Sequence, residues 1–172
     1  MRSALVAAMM AYGVSAASIT YSSSTVGTNG SGETVYRYVF DLTSVSLQLN
    51  QELSIHFPAA EFGSLLKGVA PAGNFDLLLF QPNAPFGADG AYSLLALVNQ
   101  PAMTGLFRVD FTLVRNVLPS ALVFAVNQFD VNGVFLNTVT PGLTGTPEPG
   151  TWVLGISGLI FAVLIKVIQQ RR

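Results

Sequence analysis

Residues 35–42 read VYRYVFDL, and this stretch decides the fold class. Tyr36, Tyr38, Phe40 and Leu42 fall on one face of an extended chain, and Val35, Arg37, Val39 and Asp41 fall on the other. A period of two belongs to a β-strand, whose successive side chains point to opposite faces. The period continues downstream. Val45, Leu47 and Leu49 alternate with Ser46, Gln48 and Asn50, and Leu53, Ile55 and Phe57 alternate with Ser54 and His56. Alternation over that length predicts sheets with one face buried and one solvated.

Further from this stretch the strand signals recur. Phe107, Val109, Phe111 and Leu113 alternate with Arg108, Asp110 and Thr112, which predicts a strand with a solvent face. Residues 75–80 and 92–98 are apolar on both faces, as central strands would be, and the loop between them, QPNAPFGADG at 81–90, is rich in turn residues. Residues 122–131 and 134–139 flank Asn132-Gly133, a strong hairpin signal because both residues accept positive φ. Residues 18–26, beginning Ile19-Thr20-Tyr21, read as an edge strand running into a turn at 27–32. Residues 59–66 break the alternation and predict a short helix ended by Gly68. Residues 140–146, TPGLTGT, have the composition of a linker. About eight short strands divided by Gly, Pro and Asn turns give an all-β domain over residues 18–139, expected to be an antiparallel β-sandwich or jelly roll.

Composition narrows the chemistry. The 172 residues include no cysteine, so no disulfide staples the fold and neither a thiolate nucleophile nor a sulfur-ligated zinc site is available. Between residues 18 and 146 the cations are Arg37, Lys67, Arg108 and Arg115, against eight carboxylates: Glu33, Asp41, Glu52, Glu61, Asp76, Asp89, Asp110 and Asp130. The segment is therefore acidic, at −4, while the whole chain is close to neutral at −1. No basic patch exists for a phosphate backbone, which argues against nucleic-acid binding.

Both ends of the chain differ from this middle. Residues 1–17 carry an early cation, Arg2, an apolar run at 4–12 and then Gly13, Val14, Ser15, Ala16 and Ala17. That is the layout of a secretory signal peptide handled by the export machinery, with cleavage after Ala16 or Ala17. At the other end, Pro147 and Pro149 flank Glu148, which favours an extended, accessible tripeptide. Residues 152–168 follow as an apolar run. As a helix at about 1.5 Å per residue they would reach roughly 25 Å, slightly less than the roughly 30 Å hydrocarbon core. Trp152 stands where an interfacial aromatic is favoured, Lys166 can snorkel to the headgroups, and Arg171 and Arg172 hold the last turn on the cytoplasmic side.

The order of these parts, Pro147-Glu148-Pro149, Gly150-Thr151-Trp152, an apolar helix and terminal arginines, resembles the PEP-CTERM sorting signal of exosortase substrates in Gram-negative bacteria. The resemblance covers residues 147–172. It implies export, transient anchoring in the inner membrane with the domain facing the periplasm, and processing near the tripeptide by an exosortase-like membrane enzyme. Delivery to the cell surface or an extracellular polysaccharide matrix would follow. It implies nothing about the exported domain.

Within that domain, candidate sites are few. His56 is the only histidine, and its alternation places it on the polar face of its strand. No serine has the surroundings of a nucleophile elbow. Two carboxylates could converge for glycoside hydrolysis, but spacing selects no pair. Asn127, Asp130 and Asn132 before Gly133, and Asp89 with Asn83, are oxygen groups of the kind calcium takes, although ordinary turns account for both runs. The expectation is an exported structural or adhesive domain with no catalytic residues and no required cofactor. The alternatives are a lectin-like, glycan-binding module and a plain single-span membrane protein that is not processed.

Overall fold

The computed structural model of the chain describes residues 19–145. They form nine strands and one turn of 3-10 helix at Ala84–Phe86: β1 (Ile19–Thr28), β2 (Thr34–Asp41), β3 (Gln51–Phe57), β4 (Phe62–Val69), β5 (Phe75–Phe80), β6 (Gly90–Ala96), β7 (Phe107–Leu113), β8 (Val123–Phe129) and β9 (Phe135–Gly145). The expected signal peptide with Ala16 and Ala17 lies outside the described residues, as do Pro147, Glu148, Pro149 and the anchor residues Trp152, Lys166, Arg171 and Arg172. Among the described residues there is no α-helix, and no helix long and apolar enough to cross a membrane.

The strands join in one sheet, in the order β4-β7-β2-β1-β9-β8-β3-β6-β5. Neighbours are antiparallel except β1 and β9, which pair in parallel over Ile19↔Thr144 and Thr20↔Gly145. The sheet is therefore mixed, where a purely antiparallel one was expected. A parallel pair needs a long crossover between its strands, and here the whole of the intervening domain supplies it. The sheet curls until its edge strands approach each other, so it nearly closes into a barrel.

The interior is aromatic. Tyr21, Tyr38, Phe57, Phe62, Tyr92, Phe107, Phe111 and Phe124 are fully buried, and Phe40 nearly so. Tyr38 lies tilted against Tyr21 and Phe111 at centroid distances of 4.4 and 4.5 Å, and Phe57 meets Phe62 edge-on at 4.9 Å. Such pairs contribute about 0.5–1.5 kcal/mol each beyond the area they bury. The alternation that began with VYRYVFDL is what aims these rings inward: Tyr38, Phe40 and Leu42 are buried and Tyr36 packs against the same core.

Where the edges β4 and β5 face each other, side chains close the seam. The Gln81 amide accepts a hydrogen bond from the Leu65 N–H through Oε1 at 2.9 Å and donates one through Nε2 to the Leu65 carbonyl at 2.7 Å. It thus offers Leu65 the pair of bonds that a neighbouring strand residue would make. The Tyr92 hydroxyl donates to the Val69 carbonyl at 2.6 Å, and Leu77 and Leu79 lie over Gly68, where a methyl group would come within 3.0–3.1 Å of their Cδ atoms.

Several segments depart from the sequence expectation. Residues 59–66 are not a helix. Pro58 opens a turn whose carbonyl accepts from the N–H groups of Glu61 and Phe62, and β4 follows. The three-residue spacing of Phe62 and Leu65 imitates a helical period because the pairing with β7 is irregular between them. Val45 and Leu47 are buried as their alternation requires, but their segment makes no ladder. Residues 75–80 form an edge strand, not a central one, and 18–26 contribute to an internal one. Asp110 and Thr112 do not face solvent: both are buried, Asp110 under a bidentate bond from Arg37 at 2.6 and 2.8 Å, and Thr112 beneath β4, where its Oγ1 accepts from Ser64 N–H.

The supposed linker at 140–145 is the second half of β9, paired with β8 from Val123↔Leu143 to Val126↔Thr140. Its two breaker residues fit the ladder. The Thr144 N–H donates to the carbonyl of Leu122, the residue just before β8, so by alternation the nitrogen of Pro141 lies on the opposite edge, where β8 requires no donor. Gly142 stands opposite Phe124, and a methyl group there would lie 2.5 Å from the ring.

Candidate functional site

On the outer face of β5, β6 and β3 the registers set side chains of three strands in rows. Asp76, Leu95 and Glu52 share one row, Leu78, Ser93 and Ser54 the next, and Phe80, Ala91 and His56 a third. The β8–β9 turn rises beside them and contributes Phe129, Asp130, Val131 and Gly133. Asn50, these turn residues, and Asp76, Leu95, Glu52, Leu78, Ser93 and Phe80 of the rows enclose an open groove of about 350 Å³, with Ser54, Ala91 and His56 outside it.

The groove has an apolar floor and acidic walls. Leu78 and Phe80 are about half exposed, at 50% and 53%, because β5 is an edge strand whose outer face nothing covers. Glu52 and Asp76 flank Leu95 from opposite sides, two strand spacings apart, or roughly 9–10 Å between Cα atoms. The buried Ser93 hydroxyl donates to Glu52 Oε1, which fixes that carboxylate over the floor. No cation lines the groove. It presents acceptors and an aromatic face, an arrangement suited to hydroxyl or ammonium donors carried on an apolar body, and unsuited to anions.

The calcium candidates have separate duties. Asp130 Oδ1 accepts the N–H groups of Asn132 and Val134, both at 2.8 Å, and its carbonyl accepts from Gly133, so it organises the turn. These bonds, led by the Val134 amide, hold its carboxyl below the usual range. Gly133 is left-handed at φ 78°, and it alone of the pair Asn132-Gly133 takes positive φ. The turn is a type I turn closed by a glycine bulge. Asn127 is engaged on the ladder, with its Oδ1 accepting from the Thr138 hydroxyl. Asp89 accepts from the Ala59 N–H in the other loop, where Asn83 bridges Ala88 through its backbone. The structure therefore brings Asn132 to Asp130, but not Asn127 or Asp89. Among the described residues, no three acidic or histidine side chains converge on a metal-sized position.

His56 is half-buried on the outer face opposite Ala91. Glu52, Asp76, Ser93 and Phe80 were not singled out by sequence. Asp76 and Phe80 lie in a segment whose apolar character read as central strand, and only the sheet order shows that it is an edge.

Comparison with models of known protein families and with curated protein sequences finds no match.

Proposed function

We propose that this chain is an exported surface or extracellular-matrix protein, held transiently in the inner membrane by its C-terminal helix and sorted by an exosortase-like membrane enzyme. Its β domain serves a structural or adhesive role and not a catalytic one. The observation that carries this reading is the ordered tail: a PEP tripeptide at 147–149, an apolar run at 152–168 and terminal arginines. Replacing Pro147, Glu148 and Pro149 together by alanine should leave the full-length form in the membrane fraction. Unchanged processing and release would defeat the sorting assignment and leave a plain single-span protein as the better description.

A second reading draws on the groove. Carboxylates that accept hydroxyl hydrogen bonds beside an exposed Phe80 and Leu78 are groups that can meet the polar edge and apolar face of a sugar ring, which favours a lectin-like role for the domain. A glycan array probed with and without calcium tests it. Binding that weakens in Glu52→Gln and Phe80→Ala supports the reading, and no binding under either condition removes it.

A further inference from the structure

The apolar half of β9 is uncovered. From Phe135 to Val139 every residue is exposed, with Phe135 at 54%, Leu136 at 58% and Val139 at 50%, and Val134 just before them is also exposed. β8 pairs with one edge of β9, while β1 meets the other only at Thr144 and Gly145. Along residues 135–143 that second edge pairs with no strand among the described residues. Open edges are ordinarily protected by charge, proline, bulges or cover. The ends of the sheet are covered by each other at the β4–β5 seam. The free edge of β1 is polar, with Ser22, Ser23, Ser24 and Thr25, and is bulged before Gly27. β9 is itself bulged at Leu136 and Val139, but it lacks the defences of composition: no charged residue occurs between Asp130 and Glu148, and Pro141 protects only the far half of the strand.

We infer that this segment is a homotypic interface, in which two copies of the chain lay residues 134–140 antiparallel about a two-fold axis at Asn137, so that Asn137 faces its own copy and Phe135 faces Val139. An uncharged apolar strand is complementary to itself, and a two-fold contact closes without propagating. The extra residues Leu136 and Val139, where the register with β8 shifts, shorten the regular ladder, so side chains supply most of the buried area. The four apolar side chains and the edge backbone present on the order of 500 Å² per copy. The total of about 1,000 Å² is at the lower limit for a specific interface. A contact of that size is weak between free copies and is strengthened where a tether confines them to one surface. The inference stands on the strand itself and holds whether or not the sorting reading does.

The absence of cysteine makes the test direct. In full-length protein in membrane vesicles, single cysteines at Phe135, Asn137 and Val139 are oxidised in turn, with Ser24→Cys on β1 as the collision control. Facing strands bring paired Cα atoms to about 4.5–5.5 Å, within the span of a disulfide. At least one β9 position should give a dimer band five-fold or more above the control. Adding Leu136→Lys to that variant should return the band to the control level. A dimer band no stronger than the control at all three positions overturns the proposal. So does a disulfide formed within one chain by Val14→Cys with Val139→Cys, the pair that an extended β1–β9 register would join.

Discussion

Replacing Gln81 by alanine tests whether the near-closed sheet is a cooperative unit. The side-chain amide of Gln81 satisfies both the N–H and the carbonyl of Leu65, a residue only 3% exposed, at 2.9 and 2.7 Å. Alanine deletes both partners without removing either backbone group. A buried donor or acceptor left unpaired costs about 1–3 kcal/mol, so two would cost 2–6. Water entering beside the half-exposed end of β4 should recover part of this, which places the expected loss at about 2–3 kcal/mol. For a domain of this size that corresponds to a fall of roughly 10 °C in Tm. Urea unfolding followed by far-UV circular dichroism gives the total, and hydrogen exchange at the Leu65 amide gives the local term, since that amide should lose protection by a larger factor than amides in β2 or β3. Gln81→Glu keeps the acceptor for the Leu65 N–H but replaces the donor with a second acceptor facing a carbonyl, so it should be no better than alanine. A loss below 0.5 kcal/mol in Gln81→Ala, with Leu65 still protected, would refute the claim that this amide closes the seam.

Other consequences are equally specific. The Arg37 guanidinium holds the Asp110 carboxyl below the usual carboxylate range, so the unfolded chain binds that proton more readily. The pair's contribution should be complete above the ordinary aspartate value of about 4 and fade as pH falls through the lower folded one. Asp110→Asn should flatten the stability profile in that window, and an unchanged slope below pH 4 would count against the assignment. Gly142→Ala should destabilise by about 1–3 kcal/mol in a urea titration, because the Phe124 ring occupies the space a methyl would need; a neutral effect would mean that the ring moves freely. Asp130→Ala should loosen the β8–β9 turn, seen as faster exchange at the Val134 amide, while Asp130→Asn, which retains an acceptor, should largely preserve it.

Much of the fold was legible because burial and period agree. Tyr38, Phe40, Leu53, Ile55, Phe57, Phe107, Val109 and Phe111 lie in the core where alternation puts them. What the sequence concealed is of two kinds. Bulges displace the period, so that Phe62 and Leu65 imitate a helix. Composition also misleads where context reverses its meaning: Pro141 and Gly142 look like linker residues, but one faces an edge that needs no donor and the other faces a ring. Sheet order is the deeper omission. Residues 75–80 are as apolar as an interior strand, and nothing local shows that their outer face, with Asp76, Leu78 and Phe80, is the floor and wall of a groove. The acidic pair Glu52 and Asp76 is separated by 24 positions in sequence and becomes a pair only because β3 and β5 both flank β6.

The β1–β9 pair changes the meaning of the tail most. Read as a linker, residues 140–146 would hold Pro147-Glu148-Pro149 away from the domain, free for an enzyme at the membrane. In the structure Gly145 is still a ladder residue, beside Thr20, and in sequence the tripeptide starts only two positions after it. Cleavage after Ala16 or Ala17, as expected from the sequence, would leave two or one residues before Ile19, which pairs with Thr144. The two ends of the described domain, Ile19 and Gly145, therefore lie at one place, and the ladder itself stands where a flexible spacer was expected. An exosortase-like enzyme acting near Pro147 would have to work against the end of β9, and folding of the domain would bear on its access. A short Gly-Ser insertion after Gly145 should then speed processing in the sorting reading, while an insertion in the β1–β2 turn should leave the rate unchanged. Equal rates for the two insertions and the parent chain would show that the ladder does not restrict the tripeptide.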